Sequence, residues 1–288
     1  MAPLFFTVAV NIGVACALRQ SLPPSSVDVP SDNKTAKARS HHSSDGAAGD
    51  AALQEVLEGL ALKHGECDLC ATKWLFVMST GRSGSTTVLE MMGSVPGFYL
   101  AGENGGMMNK QFDMFKHMRL AGNSGCSAWA HGPISQHGMF CAIQYYITEA
   151  IGAAAFQATH TIGFKEIRWG VDATVANFML QVFPCARFII STRLDLIKQL
   201  ASESQAEWSY DTNLKKATSM LEKWQSNHRD KATLIHLEQF SVNWFNMLLR
   251  WLNVTDCSFK SLVHTNDDGR TTIRHEHNNL TEGTCHMA

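Results

Sequence analysis

The amino-acid sequence predicts an α/β fold in which a parallel sheet is flanked by helices. Strand-length apolar runs at 74–78, 161–167, 186–192 and 232–237 alternate with stretches of helical spacing at 139–156, 172–182, 194–205 and 214–227. Strands separated by helices pair in parallel through crossover connections, since only a long connection returns the chain to the same sheet edge. The first strand also runs into a Gly/Ser/Thr/Arg loop and then a helical pattern, and ligands of such sheets sit outside the carboxyl ends of the strands. With 288 residues, 45% of them hydrophobic, the chain can bury one substantial core, and two full domains are not expected.

Residues 1–17 are apolar and end in Ala15-Cys16-Ala17, a small-x-small pattern that reads as a cleaved signal peptide. The stretch is shorter than the ~20 apolar residues that span a bilayer. It lacks Lys and Arg near its start, so an uncleaved anchor is the alternative, and only that anchor would bring the protein to a membrane. Residues 18–50 are rich in Ser, Pro, Asp, Lys and His and read as a flexible stalk. The folded domain is expected over 51–288, led by a short amphipathic helix carrying Leu53, Val56, Leu57 and Leu60.

Entry into the secretory pathway, with residence in the Golgi lumen or secretion, fits sequons at Asn33, Asn253 and Asn279. Without Cys16, seven of the eight cysteines remain, enough in an oxidising lumen for three disulfides and one thiol. Cys126 with Cys141 and Cys257 with Cys285 are plausible loop-closing pairs. Cys67-Asp-Leu-Cys70 has redox or zinc spacing, but no second such pair and no thioredoxin-like strand accompanies it. A structural disulfide, or pairing elsewhere, is favoured. The formal net charge of −2 offers no general attraction for nucleic acid, so an anion site must be built from local basic residues.

The loop is such a place. Gly81 and Gly84 permit a tight turn, Ser85 or Thr86 can cap a helix carrying Val88, Leu89 and Met92, and Arg82 adds a full charge. The first turn of a helix has N–H groups without backbone acceptors and the positive end of the dipole, which together suit an anion. A nucleoside-triphosphate loop needs Gly-x-x-x-x-Gly-Lys-Ser/Thr. Here Thr86 stands where the second Gly belongs, and no Lys lies between Trp74 and Lys110.

Arg82-Ser-Gly-Ser-Thr-Thr87 instead resembles the 5'-phosphosulfate loop of sulfotransferases that use 3'-phosphoadenosine 5'-phosphosulfate (PAPS), above all the Golgi and bacterial carbohydrate-type members. The resemblance implies their P-loop NTPase-like sulfotransferase fold and contacts to the donor from Arg82, Ser83, Gly84, Ser85, Thr86 and Thr87. The strand at 186–192 ends in Arg193 and is followed by Ser202, similar to the family's 3'-phosphate segment. A guanidinium can bind two phosphate oxygens in one plane. Eight residues separate Arg193 from Ser202 where the family usually has seven, so Ser204 is a fallback. The alternative for Arg193 is an ion pair with Asp195.

Thr161-Ile-Gly-Phe-Lys-Glu-Ile-Arg-Trp169 is similar to the family's Gly-Phe-Lys run and directs Lys165 to the cleft. A charge among Ile162, Phe164 and Ile167 needs a partner, either an anionic ligand or Glu166 across a bend. Gly102-Glu103 resembles the Gly-Glu turn of carbohydrate-type members, which makes Glu103 the candidate base, with turn capping as its alternative. The tail around Arg270, Arg274, His275 and His277 resembles a loop that closes over the nucleotide, although the family's glycine-rich signature is absent. Arg270 and Arg274 are its candidate contacts. Two His without a third ligand imply no metal. Glu238 resembles a strand-end Glu with a structural role.

The resemblance covers roughly 74–238 and implies in-line transfer of a sulfuryl group from PAPS to an acceptor hydroxyl of a carbohydrate. Arg82 and Lys165 would stabilise developing charge, and Glu103 would take the hydroxyl proton. The alternatives are an atypical P-loop kinase and a non-catalytic secreted glycan-binding protein with the same fold.

Overall fold

A computed structural model describes residues 67–123, 134–153, 160–205, 213–263 and 284–287. The segments expected as signal, stalk and helix at 53–60, with Cys126, Asn33, Asn279, Arg270 and Arg274, lie outside them. Strand β1 (Lys73–Ser79) leads through the loop to α1 (Ser85–Gly93), β2 (Phe98–Ala101), α2 (Met107–Asn123) and α3 (Gln136–Ala150). Then follow β3 (Thr161–Glu166), α4 (Thr174–Val182), β4 (Arg187–Thr192), α5 (Leu196–Gln205), α6 (Leu214–Asn227), β5 (Ala232–His236) and α7 (Val242–Trp251). A small ribbon of β6 (Cys257–Phe259) and β7 (Cys285–Met287) completes the described elements.

The main sheet has five strands in the order β2-β3-β1-β4-β5, and every neighbouring pair is parallel. The predicted α/β fold with a parallel sheet flanked by helices is therefore the observed one. β1 is central because its alternate residues feed two cores. Trp74, Phe76 and Met78 face α2, α3, α4 and α6, while Leu75 and Val77 face α1 and α7. In the first core the Phe76 ring packs 4.9 Å from Phe164 and 4.8 Å from Phe183. Such ring pairs add to what area burial alone contributes. Gly163 on β3 is obligatory, since a Cβ there would overlap the Leu75 carbonyl of the adjoining strand.

The four predicted strands are β1, β3, β4 and β5. The fifth, β2, escapes periodicity because it is four residues long and none but Leu100 is fully buried. α7 has a readable pattern in hindsight: Ser241 accepts from the Trp244 N–H as its cap, and Phe245, Leu248 and Leu249 fill one buried face. Among the described residues no helix is long and apolar enough to cross a membrane.

Three disulfides staple the described chain. Cys257–Cys285 joins β6 to β7, as expected. The pairing of Cys126 with Cys141 is overturned, because Cys141 is bound to Cys67 across 74 residues. Cys67 and Cys70 do not pair with each other: Cys70 is bound to Cys185, ahead of β4. Three residues apart at the approach to β1, the two thiols diverge toward α3 and β4 and anchor the central strand on two sides. Cys67, His137 and Cys141 have potential ligand atoms within 4.8 Å, but both sulfurs are spent in the disulfide.

Candidate active site

The chain leaves β1 at the centre of the sheet and goes first to β2 and β3 on one side, then to β4 and β5 on the other. The loop after β1 thus lies at the point where strand order reverses, where α/β sheets open a crevice. Its backbone turns through Arg82, at φ 56, and Gly84, at φ 78. The expectation that Gly81 and Gly84 make the turn holds for Gly84, whereas Arg82 rather than Gly81 takes the other left-handed position. Gly84 itself stands at the cap of α1, and no side chain caps the helix. Ser85 and Thr86 are therefore inside the first turn rather than before it. A Cβ on Gly84 would lie 2.6 Å from Leu237 Cδ1 and 2.9 Å from Phe240 Cε2, so the loop is pressed against the segment after β5.

Ser83 is fully buried and donates its hydroxyl to the Thr80 carbonyl, while Ser191 at the end of β4 donates to the Ser83 carbonyl. The Ser83 side chain therefore holds the loop's shape. Gln199, also fully buried on α5, donates from Nε2 to Thr80 Oγ1 at 2.9 Å and to the Gly81 carbonyl. No motif pointed to Gln199. Arg82 donates from Nε to Ser202 Oγ at 2.8 Å, which brings Ser202 to the loop despite the longer spacing from Arg193. Ser204 bonds its own helix at Leu200 and is turned away. Beside Ser202, burial pushes the Glu203 carboxyl above its ordinary value, and the Arg82 charge opposes the shift.

Arg193 is not paired with Asp195. Its Nε lies 3.7 Å from Glu238, and its NH1 approaches the Arg82 carbonyl at 3.5 Å. Asp195 caps α5 by accepting from the Lys198 N–H. Glu238 accepts from the Leu194 and Asp195 N–H groups. Burial pushes its carboxyl up, but those backbone bonds and Arg193 outweigh it and hold the value below the ordinary range. A structural role for Glu238 follows from these bonds: it sets the start of α5 and the direction of Arg193.

On the other side of β1, the strand alternation of β3 separates its two charged residues. Lys165 is level with Val77 and faces α1, whereas Glu166 is level with Met78 and faces the first core. A bond between adjacent strand residues of opposite facing is excluded by the pleat, and the expected Lys165–Glu166 alternative fails for that reason. Lys165 Nζ instead lies 2.7 Å from Glu103 Oε1 and 3.5 Å from Thr86 Oγ1. It bridges the loop after β2 and the first turn of α1. Arg168 reaches Glu103 Oε2 at 3.3 Å and Glu166 Oε1 at 2.9 Å. Thr87, half-buried, continues the first turn of α1.

Arg82, Thr86, Lys165, Glu103, Ser202 and Arg193 thus converge on one end of the sheet, with a helix N-terminus between them. Lys165 reaches the first turn of α1 at Thr86, Arg82 precedes that turn and is bonded to Ser202 on α5, and Arg193 stands just after β4 beside the Arg82 carbonyl. A carboxylate beside this cluster can receive a proton from a neutral acceptor.

A family model described as the sulfotransferase family matches residues 75–248. None of the curated proteins matches. Similar solved structures include the sulfotransferase domain of the olefin synthase from Synechococcus PCC 7002, at 15% identity and TM-score 0.42 over 64% of this chain and 74% of that one. A sulfotransferase from Mycobacterium tuberculosis H37Rv is similar at 9% identity and TM-score 0.38, covering 72% of each chain. An unliganded sugar kinase from Janibacter sp. HTCC2649 is similar at 14% identity and TM-score 0.33, covering 64% and 96%.

Proposed function

The chain belongs to the sulfotransferase family, and from that premise we propose that it moves a sulfuryl group from PAPS to a carbohydrate hydroxyl inside the secretory pathway. The family implies a nucleotide donor and a hydroxyl acceptor. The observation that carries the residue assignment is the Lys165 bridge, 2.7 Å to Glu103 and 3.5 Å to Thr86, because it ties a candidate base to the donor loop. Three disulfides support passage through an oxidising lumen. Asn253, exposed just after α7, is the sequon available in the described chain for a glycan.

In this reading the acceptor oxygen forms a bond to sulfur while the bond from sulfur to the 5'-phosphate oxygen breaks. The products are the sulfate ester and 3'-phosphoadenosine 5'-phosphate, and the acceptor proton passes to Glu103. Negative charge grows on the bridging oxygen as it leaves. Arg82, Lys165 and the N–H groups of the α1 first turn are the groups able to offset it. Arg193 and Ser202 hold the 3'-phosphate, and Arg270 and Arg274 are further candidate contacts to it from the tail. The scheme requires no metal.

The test is transfer of labelled sulfate from PAPS to a panel of glycans and small alcohols by the wild type, Arg82→Ala and Glu103→Gln. Transfer to a glycan that falls at least 100-fold in both variants, with melting temperatures held, is the expected result. Glu103→Gln should still bind 3'-phosphoadenosine 5'-phosphate. Phosphate transfer from ATP with magnesium would identify a kinase instead, and glycan binding without nucleotide binding would identify a non-catalytic lectin.

A further inference from the structure

Glu166 is 1% exposed, and its carboxylate accepts from five donors. Four are backbone N–H groups: Asn104 at 3.2 Å and Gly106 at 2.7 Å in the loop after β2, and Ile167 at 2.8 Å and Arg168 at 3.0 Å after β3 itself. The fifth is the Arg168 guanidinium at 2.9 Å. Burying a charge is costly unless such bonds satisfy it. What this carboxylate joins is two loops that leave neighbouring parallel strands at the same sheet end. One loop carries Glu103. The other carries Arg168, whose NH1 lies between the carboxylates of Glu166 and Glu103.

We infer that Glu166 is a positioning residue for sulfuryl transfer, holding Glu103 in place through Arg168 and through the backbone of residues 104–106. The inference rests on the reading of Glu103 as the base. Glu103 is then gripped from two directions: Lys165 at Oε1, and Arg168, itself clamped by Glu166, at Oε2. Motion along either direction is opposed by a charge on the other side. Glu166 itself, 1% exposed and engaged by these bonds, is out of reach of donor and acceptor.

The experiment is a double-mutant cycle read by release of labelled sulfate from PAPS, with water standing in for the acceptor hydroxyl. Calorimetry with 3'-phosphoadenosine 5'-phosphate and thermal melting accompany it. Glu166→Gln keeps the shape of the side chain but removes its charge and turns an amide NH2 against backbone donors. Turnover should fall at least 10-fold with nucleotide affinity unchanged within twofold. In a Glu103→Gln background, the same substitution should produce no further loss, because a group that acts through Glu103 has nothing left to position. A merely structural role gives the same fold-loss in both backgrounds, and that outcome overturns the inference, as does wild-type turnover in Glu166→Gln. Should Glu166→Gln fail to fold, Arg168→Met, at a half-exposed position, replaces it in the same cycle with the same two outcomes. Normal turnover in Glu103→Gln alone removes the base itself, and the inference with it. An impaired Glu103→Gln beside a normal Glu166→Gln removes only the inference.

Discussion

Replacing Gly84 with Ala tests whether the loop is held in its shape by packing against the segment after β5. At φ 78 an L-residue costs about 1–2 kcal/mol relative to glycine. The added Cβ would also meet Leu237 Cδ1 at 2.6 Å and Phe240 Cε2 at 2.9 Å. Overpacking of that kind costs about 1–3 kcal/mol. Together these give a loss of about 2–5 kcal/mol, read as a lower urea midpoint at constant slope. The two contributions separate in a second background. Leu237→Ala clears the nearer clash but leaves that with Phe240 and the backbone cost, so the pair should couple by roughly 1 kcal/mol in the recovering direction. Calorimetry with 3'-phosphoadenosine 5'-phosphate should show weaker binding in Gly84→Ala, since the N–H groups of the α1 first turn follow the loop. A Gly84→Ala midpoint equivalent to a change below ~0.5 kcal/mol would refute the steric argument.

Three further outcomes follow from particular contacts. Because burial raises the Glu203 carboxyl above its ordinary 4.5, the folded chain takes up a proton there. That contribution is fully present below 4.5 and is lost as pH rises through the folded value. Glu203→Gln should therefore melt with the wild type in acid and above it at pH 7.5, and an equal offset at both pH values would contradict the burial argument. Removing Cys70–Cys185, which closes 115 residues, should cost about 1 kcal/mol more than removing Cys257–Cys285, which closes 28, on the chain-entropy account. Urea titrations of the two paired Cys→Ser variants check it, and the reverse order speaks against that account. Glu238→Gln, which weakens the pull on Arg193 and the start of α5, should loosen binding of 3'-phosphoadenosine 5'-phosphate by about tenfold, or ~1.4 kcal/mol. Unchanged affinity in calorimetry would mean that Arg193 is set by other bonds.

The alternation of apolar strands and helical stretches placed β1, β3, β4 and β5 within a residue or so of their observed ends. That succeeds because strands buried on both faces must be continuously apolar, a constraint written locally in the chain. β2 and the β6–β7 ribbon are too short to leave such a trace. Disulfide connectivity was legible only where the partners close a local hairpin, as in Cys257–Cys285. Cys67–Cys141 and Cys70–Cys185 join elements 74 and 115 residues apart, and their pairing depends on which strands become neighbours in the sheet.

The candidate site divides along the same line. Arg82, Glu103, Lys165, Arg193 and Ser202 stand in segments whose residue types and order can be read one at a time. Lys165 and Glu166 illustrate the limit. Both are charges at the end of one strand, and the pleat alone puts them on opposite faces. That one engages Glu103 and Thr86, while the other gathers the N–H groups of two loops, depends on β2 and α1 flanking β3. Gln199, buried against Thr80 and Gly81, carried no signal at all. By itself the sequence determined the layered fold, which follows from periodicity, and pointed to the family through the resemblance of its motifs at Arg82–Thr87, Lys165 and Arg193. Tertiary structure decided which partners each charge meets, because an ion pair or a clamped carboxylate is a property of atoms brought together from distant strands.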